Sequence, residues 1–107
     1  MNERELLESA ARTVGRRFND YEPGADYGLG WCGQDGNDWW NPRLNSDQAL
    51  DLAAALELEI YIMGGLGEVW CEDAYGIHRS QILVTDDRAQ DYRDAIVQCA
   101  ALIGAEK

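Results

Sequence analysis

The sequence predicts an α+β domain: a mostly antiparallel sheet of about four to five strands with three helices packed on it, in an α/β/α sandwich-like arrangement. Three observations predict it. Apolar residues recur at helical spacing in three separated segments, around residues 2–15, 46–56 and 85–104. Short alternating runs at 27–33, 58–63 and 68–72 lie between them, bounded by glycine and aspartate. The length, 107 residues with 46% apolar, suffices for one core without metal or disulfide staples, so residues 1–107 read as a single domain.

In the first segment Leu6, Leu7, Ala10, Ala11 and Val14 share a helical face, Asn2 is placed to cap it with Glu5 three residues on, and Gly15 is a stop. Residues 18–27 read as loop, because Asn19, Asp20, Pro23, Gly24 and Asp26 favour turns. In the strand at 27–33, Tyr27, Leu29 and Trp31 share one face. The glycines opposite imply close approach of another backbone or an aromatic ring. Gln34-Asp35-Gly36-Asn37 is a turn, and Asp38-Trp39-Trp40 returns as a short strand that Pro42 ends.

Asn45 or Ser46 caps the second helix, whose apolar side is Ala49, Leu50, Leu52, Ala53 and Leu56. Residues 58–63 and 68–72 form a hairpin around Gly64-Gly65-Leu66-Gly67. A four-residue loop sets Met63 opposite Glu68, Tyr61 opposite Trp70 and Glu59 opposite Glu72. Those six share one face, and Ile60, Ile62, Val69 and Cys71 share the other, which reads as core. Residues 77–83 add a strand. Thr85 or Asp86 caps the last helix, with a buried stripe of Ala89, Tyr92, Ile96, Cys99, Ala100 and Ile103 and a stop at Gly104.

The net charge is −11, and residues 18–80 hold twelve acidic residues against Arg43 and Arg79 alone. Such a field repels nucleic acid and anionic membrane and attracts basic surfaces. No apolar run approaches the length of a membrane span, and the charged start lacks the order of a signal peptide, so the expectation is a cytoplasmic protein. Cys32, Cys71 and Cys99 are scattered and read as buried thiols.

No catalytic or metal-binding pattern emerges, and no cofactor is expected. His78 is the only histidine and reads as exposed, with no partner implied by its neighbours. Asp35-Gly36-Asn37-Asp38 fails as a calcium loop, because Ser46 stands where the closing glutamate belongs. Gly28, Gly30 and Gly33 lie inside a strand rather than opening a helix, which rules out the dinucleotide motif.

The opening stretch Glu5-Leu6-Leu7-Glu8-Ser9-Ala10-Ala11, then Trp40-Asn41-Pro42 with the helix from Ser46, and the closing Asp94 to Gly104 segment together resemble the phage ABA sandwich domain family. Arg43 beside the proline, Cys99 within an alanine-rich run and the Gly-rich middle depart from the family pattern. The resemblance implies a small phage or prophage protein with helices on both sides of a sheet, acting in the host cytosol. It carries no catalytic residues over.

The leading functional expectation is an accessory protein, not an enzyme, that binds a protein partner with a basic surface. Its most concrete form is an inhibitor of a host nucleic-acid-binding defence factor, with no direct binding of nucleic acid or membrane. Trp39, Tyr61 and Trp70 are the aromatic anchors, and Glu59, Glu68, Glu72 and Asp73 the carboxylates that select a cationic partner. Alternate residues on a strand stand about 6.8 Å apart, close to the spacing of every second phosphate on one DNA strand, so imitation of nucleic acid is one form of this reading. Two rival expectations are a ligand-binding or enzymatic cleft near Trp39, Trp40 and His78, and a structural role in which a sheet edge pairs two copies as a homodimer.

Overall fold

In the computed structural model the described residues are 2–15, 18–22, 28–31 and 39–106. Their order is α1 (Glu3–Arg12), β1 (Phe18–Glu22), β2 (Gly28–Trp31), β3 (Trp39–Trp40), α2 (Ser46–Ala55), β4 (Glu59–Met63), β5 (Glu68–Glu72), β6 (Arg79–Leu83) and α3 (Arg88–Ala105). The antiparallel α+β class with three helices is as predicted. The strands number six among the described residues, and they divide into two sheets, ordered β1-β2-β3 and β4-β5-β6. The two-residue β3 ends at Asn41-Pro42 and α2 intervenes before β4, so the ladder does not continue from one sheet to the other.

Local capping explains the helix starts. The Asn2 side chain accepts from the Glu5 backbone N–H at 2.8 Å and donates to the Glu5 carboxylate at 2.9 Å, a reciprocal pair that satisfies an orphan donor of α1. Asn45 accepts from the Gln48 N–H at 3.0 Å to start α2. Gln48 in turn accepts from the Asn41 N–H at 2.6 Å and donates to the Trp39 carbonyl at 3.0 Å, which ties α2 to β3.

The cap of α3 is Asp87, not Thr85 or Asp86; it accepts from the Gln90 N–H at 3.0 Å. The reason is Asp91. This buried carboxylate takes both the Thr85 N–H, at 2.8 Å, and the Thr85 hydroxyl, at 2.7 Å. With Thr85 so held, the helix starts beyond it.

The helix α3 organises the core. It packs on α1 and α2 and lies across β5 and β6, while α1 reaches β2. Its middle, Ala95, Ile96, Val97, Cys99, Ala100 and Ala101, is buried on nearly every side, which fits a helix packed on three neighbours. Ala89, placed in the predicted stripe, is exposed because it precedes that region. Leu7, Leu29, Val69 and Val97 are among the fully buried side chains, each contributing about 1.5–3 kcal/mol relative to exposure.

Gly104 is not the expected stop, since α3 runs one residue further. A Cβ at Gly104 would lie 1.7 Å from the Ser9 carbonyl oxygen, so its missing side chain is what lets α1 and α3 touch backbone to backbone. Gly28 does the same in the first sheet. Its φ is +98°, and a Cβ there would meet the Trp40 carbonyl oxygen at 2.5 Å. That is the close backbone approach the alternating glycines predicted.

Residues 18–22, expected as loop, form β1, paired antiparallel with β2 through an irregular register between Phe18 and Asp20. Ladder bonds are made by backbone, so turn-favouring side chains did not prevent the strand. Tyr21 packs against the core and its hydroxyl donates to Glu3 at 2.9 Å. The turn expected at residues 34–37, with Tyr27, Cys32, Gly33 and Asp38 and the side chain of Trp31, lies outside the described residues.

Arg43, the residue after Pro42, joins three segments. Its guanidinium reaches Glu3 of α1 at 2.8 Å and Asp94 of α3 at 3.5 Å. Its carbonyl accepts from Gln90 at 2.7 Å and from Arg93 at 3.0 Å.

Candidate functional site

The β4–β5 register matches the expectation residue for residue: Glu59 opposite Glu72, Tyr61 opposite Trp70, Met63 opposite Glu68. The third strand extends each row, with Arg79 beside Glu72, Gln81 beside Trp70 and Leu83 beside Glu68. Side-chain alternation puts these nine residues on one face. The opposite face sends Val69, Cys71 and Ser80 onto α3, where the Ser80 hydroxyl donates to the Ala95 carbonyl at 2.6 Å.

No helix among the described residues covers the nine-residue face. Tyr61 is 39% and Leu83 71% exposed, Glu59, Arg79 and Gln81 are exposed, and Trp70 is half-buried. Its charges are three carboxylates against one guanidinium, and each is engaged. The Tyr61 hydroxyl donates to Glu59, and that bond, with a smaller effect of burial, pushes the tyrosine pKa up to about 12. The Trp70 indole N–H donates to Glu68 at 3.1 Å. Arg79 grips Glu72 at 2.9 and 3.0 Å and lays its guanidinium over the Trp70 ring, 4.6 Å from the centroid. Like charges directly across a ladder repel, and here Tyr61 and Arg79 separately stabilise the opposed Glu59 and Glu72. The face is amphipathic: aromatic at its centre, anionic at its margins.

Two predicted site residues are not part of it. Asp73 turns inward and organises the β5–β6 connection, accepting from the N–H groups of Tyr75 at 3.2 Å and Ile77 at 2.9 Å. Trp39 is half-buried in the other sheet. The exposed carboxylates Asp47 and Asp51 belong to α2, so the acidic stretch is divided between elements.

The core expected from Ile60, Ile62, Val69 and Cys71 is only half realised. Val69 and Cys71 are fully buried, but Ile60 is 39% and Ile62 55% exposed. They lie on the correct face of β4, but α3 lies across β5 and β6 and leaves β4 beyond its reach.

His78, expected to be exposed, is half-buried with a definite setting. Its Nδ1 lies 2.7 Å from Asp73 Oδ2, and its Nε2 lies 2.9 Å from Glu106 Oε2, off the line of a well-aligned hydrogen bond. Those two carboxylates, Asp73 first, raise its pKa, and the His78 bond lowers that of Asp73. The Asp73 partner, five residues earlier across a turn, was the sequence signal that could have found this cluster; Glu106 had none.

The Trp39 carbonyl is held by Gln48 of α2, and Arg43, three residues after Trp40, meets the start of α3, whereas His78 lies beside Glu106 at its end. The segment that follows the two tryptophans therefore meets α3 at the opposite end from His78. An open groove of about 440 Å³ lies elsewhere, between β6, α1 and α3, lined by Leu6, Arg79, Gln81, Gln98 and Leu102 among others.

Cys71 and Cys99 are buried and free, as expected. A hydrogen bond with Cys99, together with burial, raises the Cys71 pKa, so this thiol stays protonated and inert at neutral pH. Among the described residues no group of three His, Cys, Asp or Glu side chains converges to hold a metal ion, and no helix is long and apolar enough to cross a membrane. No protein-family model, no curated protein and no solved structure matches this chain.

Proposed function

We propose that this chain is a protein-binding module that presents the bare face of the β4–β5–β6 sheet to a cationic partner. One observation carries the reading. Tyr61 and Trp70 stand opposite each other on a sheet face that no helix among the described residues covers, bordered by Glu59, Glu68 and Glu72. Large aromatics give contact area at low entropic cost, and a carboxylate margin favours lysine and arginine. The overall charge of −11 steers basic surfaces towards the molecule and repels nucleic acid.

The resemblance to the phage ABA sandwich family gives the proposal its finer form. The partner would be a nucleic-acid-binding defence protein of the bacterial host, met in the host cytosol and blocked by occupation of its basic surface. No reaction is part of this proposal: His78 Nδ1 is held by Asp73 and its Nε2 lies beside Glu106, and that setting is explained by joining two chain segments.

The test compares two variants of equal charge change. Glu59→Gln with Glu68→Gln neutralises the face, and Asp47→Asn with Asp51→Asn neutralises α2. Host proteins are captured from bacterial lysate at low and high salt. Proteins retained by the wild type and the α2 variant, lost with the face variant and released by salt, are the expected result. Retention unchanged in the face variant, or insensitive to salt, overturns the proposal.

A further inference from the structure

We infer that the free edge of β4 pairs with the β4 edge of a second copy of this chain, giving a two-fold symmetric dimer with one continuous six-stranded sheet. β4 ends its sheet, bonded to β5 on one side and to no described strand on the other. Edge strands in soluble proteins are ordinarily blunted by charge, proline or a bulge. In the run Glu59-Ile60-Tyr61-Ile62-Met63 the one charge is Glu59 at its start, no proline interrupts it, and its register with β5 is unbroken. The other edge of the same sheet, β6, carries Arg79, Ser80 and Gln81. The contrast marks β4 as the edge left open.

The occupant follows from symmetry and charge. A two-fold axis relating antiparallel strands must pass beside a residue paired with its own copy. Only an axis at Tyr61 pairs all five residues. It sets Tyr61 against Tyr61 of the second copy, Ile60 against its Ile62, and Glu59 against its Met63. No carboxylate then faces a carboxylate across the new ladder, and the only charged residue of β4 meets a thioether. Ile60 and Ile62, 39% and 55% exposed, would fill the trough between the two α3 helices with four isoleucines. This supplies the cover that α3 alone does not give them.

This inference concerns the edge rather than the bare face, and the two respond oppositely to salt. Two molecules of charge −11 repel, so screening strengthens self-pairing while weakening capture of a cationic partner.

The test is sedimentation of the full chain over a range of concentrations at low and high salt, with cross-linking to read the register. We expect a concentration-dependent dimer favoured by salt. Ile62→Lys, at an exposed position that tolerates the change in the monomer, should weaken it by about tenfold or more, equivalent to about 1.4 kcal/mol. Directly paired residues have Cα atoms about 4.5–5.5 Å apart, within disulfide reach. Tyr61→Cys should therefore give a covalent dimer under a mild oxidant and Glu59→Cys should not. A chain that stays monomeric at every concentration and salt overturns the inference and leaves the edge to a strand of another protein. So does a dimer indifferent to Ile62→Lys, or one that Glu59→Cys cross-links as readily as Tyr61→Cys.

Discussion

The imidazole of His78 and the carboxylate of Asp73 form a 2.7 Å pair that joins the β5–β6 turn to the end of α3, where Glu106 meets the other ring nitrogen. Two segments far apart in the chain are held by one titratable ring, so stability must depend on pH.

Its sign can be worked out. The folded pKa of His78 is raised above the ordinary value of 6.5, first by Asp73 and then by Glu106. The stabilisation is fully present below 6.5 and is lost as pH rises through the raised folded value. Asp73 is lowered below 3.8, chiefly by His78, so its contribution is present above 3.8 and is lost as pH falls through the folded value. Thermal melts should show Tm declining as pH rises above 6.5. His78→Gln should flatten that decline; an unchanged slope would remove His78 as its cause.

Gly104→Ala tests the α1–α3 contact. Alanine favours helix over glycine by about 1 kcal/mol. The new Cβ, however, would stand 1.7 Å from the Ser9 carbonyl oxygen. Overpacking costs about 1–3 kcal/mol, and backbone cannot rotate aside as a side chain can. We expect a net loss of up to about 2 kcal/mol in urea unfolding, with no rescue by substitution at Ser9, because the collision is with its backbone.

Asp91 holds Thr85 by two hydrogen bonds while buried at 1% exposure. Asp91→Ala leaves both Thr85 donors without that acceptor, whereas Asp91→Asn keeps one. Urea midpoints should therefore fall in the order wild type, Asp91→Asn, Asp91→Ala. The bonds from Thr85 lower the pKa of Asp91, so its stabilisation is present above 3.8 and lost in acid, and both variants should lose that part of the acid sensitivity.

Arg79→Ala removes the cation over Trp70 and the bridge to Glu72. Both groups are near water, so the stability loss should stay within about 1 kcal/mol. Acrylamide quenching of tryptophan fluorescence should increase as the ring is uncovered. The freed Glu72 should tighten binding of a cationic partner at low salt; weaker binding would show that Arg79 itself belongs to the contact.

The legible parts of this molecule were local. Asn2 and Asn45 were readable as caps because capping involves neighbours three residues apart. The Tyr61–Trp70 pairing was readable because a four-residue loop leaves one register. Gly28 was readable as a close approach because alternating glycines in a strand have few other uses. Gly104 was misread as a stop because glycine serves helix ends and helix contacts alike, and only Ser9 distinguishes them. Residues 18–22 were misread as loop because their partner strand, not their side chains, makes them β1.

The amino-acid order by itself determined which side chains share each face of the hairpin, since alternation along a strand needs no distant information. Only the tertiary structure decided which of those faces is covered. Cover depends on where α3 comes to rest, and it rests over β5 and β6, burying Val69 and Cys71 while leaving Ile60, Ile62 and Tyr61 in water. Periodicity says which way a residue points; what lies over it is fixed by packing between segments remote in the chain.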